Sequence, residues 1–270
     1  MSLDNFEISN YGGRPVYFYE FRWGNSEWFY TTADRPLMLG TQEYQPVPIS
    51  DDGITSGAAS PGEFKINCAA DLPVVGLFRG TPPSEKVRVT ALHKHIDDPE
   101  TKVIFTGKID NVKRPKGGAE VSLICSSGKQ RRGGLRLTWS RTCPHVLYDG
   151  QCRLLRSLFA QPAVIASITG NSFTVEAAPH ATAGWFDGGI IEWDADGLGT
   201  LEMRAIERGT STTSFLMFGR TDGLAIGQEV AMYPGCDRLP TTCNSKFNNL
   251  VNFGGITQQP GESPFGQNIF

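Results

Sequence analysis

Over the first 138 residues apolar and polar side chains alternate in short runs, the period-two signature of strands that bury one face. "VYFYEFRW" and "EWFYTTA" flank a Gly24-Asn25-Ser26 turn and predict a hairpin. "KVRVTALH", "TKVIFTGKIDNV" and "AEVSLICSS" predict further strands, the last two joined by a Pro115-Lys116-Gly117-Gly118 turn. No long window carries the helical period, so residues 1–138 are expected to form a β-rich unit, barrel-like or two-sheeted. The pattern changes after Cys152, where Leu154, Leu155, Leu158 and Phe159 recur at helical spacing and predict a short amphipathic helix. From Val164 the alternation returns in "AVIASI", "SFTVEAA", "GGIIEW", "LEMRAIE", "SFLMFG" and "QEVAMY". These short runs between Gly turns predict a small barrel at about 163–233, inserted in a second unit of residues 139–270. Beyond it Phe247, Leu250 and Val251 predict a second short helix, capped by Asn244 or Ser245. The expected fold class is therefore mainly β, with few short helices.

Composition narrows the function classes. Of 270 residues 39% are hydrophobic and 20% charged, the balance of a folded protein and not of a disordered one. A formal net charge of −3 supplies no overall basic field for nucleic acid, so no sequence-specific nucleic-acid binding is expected. No apolar run approaches the roughly 20 residues of a membrane-spanning helix, and no membrane anchor is expected. The opening "MSLDNFEISNYGGRPVYF" lacks a basic segment followed by an apolar one, so the expectation is folding in the cytosol, where thiols stay reduced.

The six cysteines sort into two kinds. Cys68 in "EFKINCAA" and Cys125 in "VSLIC" alternate with apolar partners, as buried strand residues do. Cys143, Cys152, Cys236 and Cys243 instead sit beside Pro, Gly, Asp or Thr, in two pairs spaced C-x8-C and C-x6-C on either side of the expected barrel. Turn-rich loops leave backbone N–H groups free to point at sulfur, which suits thiolate ligation. A bound metal, two disulfides and four plain thiols are all compatible with this pattern. For a metal, structural zinc favours tighter knuckles than eight- and six-residue spacers, whereas a [4Fe–4S] cluster needs ligands from farther apart. Arg141, Arg153 and Arg238 flank the cysteines, either to offset thiolate charge or as solvated loop residues.

Other constellations carry less. Cys143 and His145, with His180 elsewhere, lack the arrangement of a thiolate–imidazole dyad. His93 and His95 share a face at a strand end without an accompanying carboxylate motif, and are expected to be solvated. Asp187, Glu192, Asp194 and Asp196 near Trp185 and Trp193 resemble a sugar-cleaving carboxylate set in composition, but turn roles are the ordinary use of such residues. The basic run from Lys129 to Arg141 reads as a subunit contact or a linker between domains.

At the cysteines a family resemblance becomes visible. "CPHVLYDGQC" resembles the C-x-x-x-LYG-x-x-C segment of tail-tip hub proteins of long-tailed bacteriophages and gene transfer agents, although Asp149 intervenes here and Arg153 follows the second cysteine. "YPGCDRLPTTCNSKFNNLVNFGGITQQPGESPF" is similar to that family's ending, and "FYTTADRPLMLGTQEYQPVPISDDGI" to a segment of its first domain. The resemblance implies β-barrel-like hub domains assembled as a trimer around a tail axis, and a [4Fe–4S] cluster on Cys143, Cys152, Cys236 and Cys243. It implies a non-enzymatic virion protein of the tail tip, made in the host cytoplasm. Its partners would be the distal tail protein, the central fibre protein and the tape measure protein. A tail-associated cell-wall hydrolase, and a zinc-stabilised or disulfide-bonded binding module, are the competing classes.

Overall fold

The computed structural model describes residue 8 and residues 13–53, 63–96, 98–115, 120–126 and 140–258. The chain divides into two compact units, Met1–Arg131 with Asp194–Glu202, and Arg132–Trp193 with Met203–Phe270. The fold is mainly β, as the alternation predicts.

In the first unit β1 (Pro15–Trp23) and β2 (Ser26–Thr31) form the expected hairpin. They are followed by β3 (Leu37–Leu39), β4 (Gln42–Pro46), β5 (Ile49–Asp51) and β6 (Glu63–Ala69). A single helical turn, α1 (Pro73–Gly76), precedes β7 (Arg88–His95), β8 (Lys102–Lys113) and β9 (Glu120–Ser126). These nine strands make one sheet in the order β3-β4-β2-β1-β7-β8-β9-β6-β5. Pairing is antiparallel except between β2 and β4.

The near-continuous apolar run of β1 is explained by cores on both of its faces. Tyr19, Phe21 and Trp23 join the larger core with Val89, Ala91, Phe64, Ile66 and Leu123. The intervening Val16 and Phe18 pack with Tyr44 in a smaller cluster. Cys68 and Cys125 are buried in the larger core, where burial pushes the Cys125 thiol up to about 12 and leaves it inert. His93 and His95 depart from expectation. The period-two burial of β7 runs to its last residue, so both imidazoles are buried, not solvated, and Tyr17 stacks on His93 at 4.9 Å.

The segment Asp194–Glu202 belongs to this unit through hydrogen bonds to the hairpin turn. Asn25 N–H donates to Thr200 Oγ1 (2.9 Å), and Ser26 Oγ donates to Asp196 (2.7 Å). Asp194 and Asp196 otherwise accept backbone N–H groups of their own turn, from Gly197, Gly199, Leu198 and Thr200.

The second unit is built on a closed barrel of β10 (Gln161–Thr169), β11 (Ser172–Val175), β12 (Ile190–Asp194), β13 (Leu201–Gly209), β14 (Ser214–Met217) and β15 (Glu229–Tyr233). The strand order around it is β10-β11-β14-β13-β12-β15. Alternate residues such as Ile165, Phe173, Ile191, Ile206, Phe215, Met217 and Met232 are buried. The two expected helices are shorter or displaced. Residues Arg156–Phe159 form one 3-10 turn with no buried side chain, and Leu155 and Leu158 are 66% and 74% exposed. With both leucines left in solvent, helical spacing alone did not yield an α-helix. The second helix, α2 (Pro240–Phe247), begins at Pro240 and not at Asn244, because proline at its first position favours the start. Asn248 ends it in the left-handed region (φ 47°), and a 3-10 turn at Leu250–Asn252 leaves Val251 97% exposed.

Gly24 tests how tightly the hairpin turn is filled. Its φ is +54°, and an added Cβ would lie 2.3 Å from Thr200 Oγ1. Gly24→Ala is expected to cost roughly 1–3 kcal/mol from left-handed strain and overpacking, seen as a lower thermal midpoint. A midpoint equal to that of the unaltered chain would contradict this packing.

Candidate four-cysteine site

The two cysteine pairs lie in the segments that enter and leave the barrel. Cys143 and Cys152 precede β10, whereas Cys236 follows β15 and Cys243 lies within α2. All four line one cavity of about 210 Å³, together with His145, Val146, Leu154, Ile190, Arg238, Phe247, Asn249 and Phe253. None of the four is in a disulfide. The sequence-selected residues are thus brought together, although 93 positions separate Cys143 from Cys236 in the chain (236 − 143).

Backbone geometry aims donors at the sulfurs. Arg238 N–H donates to Cys236 Sγ at 3.3 Å, and Gly254 N–H to Cys143 Sγ at 3.4 Å. The Asn249 amide Nδ2 lies 3.7 Å from Cys152 Sγ. Such donors stabilise thiolate charge, as sulfur-ligated centres require. Burial pushes the Cys236 and Cys243 thiols up, and the other cysteine sulfurs raise both further. A positive centre placed among these sulfurs would relieve that mutual repulsion.

The loop carrying Cys152 is shaped by Asp149, the residue that interrupts the LYG pattern. Its carboxylate accepts N–H groups from Cys152 (2.6 Å), Gln151 (2.9 Å) and Val146 (3.1 Å). The first of these bonds is the main cause of its lowered pKa. Tyr148, held at φ 66°, donates its hydroxyl to Pro234 O (2.9 Å) and packs in an aromatic group with Phe159, Tyr233 and Phe247. The two cysteine loops also meet directly, where Cys143 N–H donates to Arg238 O at 3.0 Å.

Lys246 fixes α2. Its ammonium donates to Trp185 O and, at 2.7 Å, to Gly235 O, and lies 4.7 Å from the Trp185 ring centre. Burial lowers its pKa while the charge on Cys236 opposes that shift. Of the three flanking arginines, Arg238 lines the cavity. Neither Asp149 nor Asn249 was assigned a role from sequence; "DG" after an aromatic was the available turn signal for the first.

Several competing sites resolve into structural roles. Asp187 accepts Gly209 N–H at 2.6 Å. Glu192 is buried, pairs with Arg156 at 2.6 Å and accepts the Tyr233 hydroxyl at 3.1 Å. His180 stacks on Trp185 at 3.9 Å. His145 lies in the four-cysteine cavity, its ring against Gly254. The basic run is outside the described residues except for Ser140 and Arg141.

Among the described residues no group of three or more His, Cys, Asp or Glu side chains is arranged to hold a single metal ion. Structural zinc requires four donors within about 2.3 Å of one point. The cavity is walled by four thiols, three of them met by N–H donors, the donor set that a sulfur-ligated centre uses.

Comparison with known proteins adds two findings. Residues 184–263 match the model of a family described as "Phage conserved hypothetical protein BR0599". The chain is also similar to a chain in a solved structure titled "Virion of native gene transfer agent (GTA) particle". That match has a TM-score of 0.79 and 19% identity, and covers 99% of this chain and 95% of the other. At this identity the likeness establishes a shared fold. A search of curated proteins gives no significant match.

Two glycines at the site should respond differently to substitution. A Cβ on Gly235 would lie 1.9 Å from Asp187 O and 2.4 Å from Gly189 N, both backbone atoms, whereas one on Gly254 would meet the movable His145 ring. Gly235→Ala is therefore expected to destabilise by about 3 kcal/mol or more, and Gly254→Ala by clearly less. Thermal or urea unfolding of the two variants side by side checks the order, and equal losses would contradict it.

Proposed function

We propose that this chain is a structural protein of a phage-type virion, a hub at the distal tip of a long tail. In this reading Cys143, Cys152, Cys236 and Cys243 hold a [4Fe–4S] cluster. The observation that carries the reading is the convergence of two distant cysteine pairs on one cavity, with N–H donors at three sulfurs. The phage family match over residues 184–263 and the fold shared with a gene transfer agent virion chain support the virion setting.

The protein's own groups prepare the site. Val146, Leu154, Ile190, Phe247 and Phe253 wall it with apolar surface. Arg238 and Gly254 donate backbone N–H groups, and the Lys246 cation lies within electrostatic reach of Cys236. The cluster would supply four metal–thiolate bonds. Structural metal sites contribute roughly 10–16 kcal/mol, comparable with the stability of a whole domain. Such a staple would fasten two loops that expose much of their own apolar surface, Val146, Leu155, Leu158 and Val251 among it. Its work would be mechanical: joining tail tube to central fibre as a homotrimer, in contact with the distal tail, central fibre and tape measure proteins. The carboxylates that favoured a hydrolase are engaged in turns and an ion pair, which favours the non-enzymatic reading.

Anaerobic purification followed by metal, sulfide and absorption analysis tests the cofactor. The expected result is about four irons and four sulfides per chain with a broad visible band, lost in Cys143→Ser or Cys236→Ser. Zinc alone, or two disulfides on non-reducing mass spectrometry, would sink the cluster. Cross-linking mass spectrometry of purified particles tests the location independently. Links to the distal tail and central fibre proteins are expected, and links only to head proteins would overturn the placement.

A further inference from the structure

We infer that Asn249 is a positioning residue that sets Cys152 against Cys243, so that the polypeptide arranges the four sulfurs before any cofactor arrives. The inference rests on reading the four cysteines as one ligand set. Asn249 is 7% exposed, and each of its polar groups is used within the site. Its Nδ2 donates to Cys152 O at 2.7 Å, across 97 positions of sequence, and also faces Cys152 Sγ. Its backbone N–H donates to Cys243 O at 3.0 Å, and its carbonyl accepts from Cys243 Sγ at 3.3 Å. Asn252 Nδ2 donates to Asn249 Oδ1 at 2.6 Å, which fixes the amide with its nitrogen toward Cys152.

This side chain is not needed to end α2. The left-handed cap is Asn248, whose N–H closes on Asn244 O. Burying an amide costs free energy unless its donors and acceptor are met. Here they are met by a cysteine backbone far away in sequence and by a second cavity-lining amide. Asn249 therefore divides its contacts by chemistry: the side chain holds Cys152, and the backbone holds Cys243. Truncating the side chain should release one cysteine and leave the other in place, a split that a general packing role does not produce.

The test is iodoacetamide labelling of the full chain, freed of metal by chelator and reductant, with each cysteine followed by peptide mass spectrometry. In Asn249→Ala, Cys152 is expected to label about five-fold faster, the change allowed by loss of one ordinary hydrogen bond. Cys243 should keep its rate, and an unchanged near-ultraviolet circular dichroism spectrum should report that the fold holds. An unchanged Cys152 rate, or equal acceleration of Cys152 and Cys243, overturns the assignment. Where that spectrum is lost and Asn249→Ala has unfolded, Asn252→Ala decides, because it removes only the group that orients the amide. A Cys152-selective rise supports the inference, and no such rise overturns it. Iron content is read on separate, anaerobically purified samples, so the cluster and the role of Asn249 can fail independently.

Discussion

The second unit depends on closing two loops over one end of a barrel, and hydrogen bonds between remote segments make that closure beside a small aromatic group. Cys143 N–H on Arg238 O, Tyr148 Oη on Pro234 O and Asn249 Nδ2 on Cys152 O each join segments that are remote in sequence. Every such bond is worth about 1 kcal/mol net, while ordering each loop residue costs about as much or more. Loops of this kind hold one conformation only where something rigid sets their ends. The barrel does this by delivering Gln161 and Tyr233 on neighbouring strands.

Close backbone approach completes the arrangement. Gly235 sits against the chain at Asp187–Gly189 with no room for a Cβ, and Lys246 then donates to Gly235 O from α2. The Pro-Gly-Cys sequence is thereby pinned from two sides, which fixes where Cys236 emerges. Burial pushes the Cys236 and Cys243 thiols up, and the sulfurs gathered around them push both further. Such an arrangement is uncomfortable for free thiolates and favourable for thiolates gathered around positive charge.

Reading the chain from sequence succeeded where one physical rule acted alone. Period-two alternation located the β1–β2 hairpin, β7 to β9 and all six barrel strands, because side-chain direction in a strand depends only on position parity. It also marked Cys68 and Cys125 as core residues, whereas the burial of Cys243 was not legible in its polar loop. Reasoning failed where a second term intervened. Leu155 and Leu158 had helical spacing but were left in solvent, and one 3-10 turn formed. His93 and His95 were judged by their polarity, whereas parity placed them inside. The start of α2 was sought at a polar cap, yet Pro240 fixed it four residues earlier.

Local pattern alone settles the mainly β class, the barrel strands and the division of the cysteines into strand and turn positions. These follow from local pattern, since turn residues and alternation act over a few positions. Only tertiary structure decided that the two pairs share one cavity, that Asp149 shapes the Cys152 loop and that Asn249 spans from Cys243 to Cys152. Those outcomes depend on distances between segments tens of residues apart. Such distances are set by strand register and closure of the barrel, which no single stretch of the chain encodes.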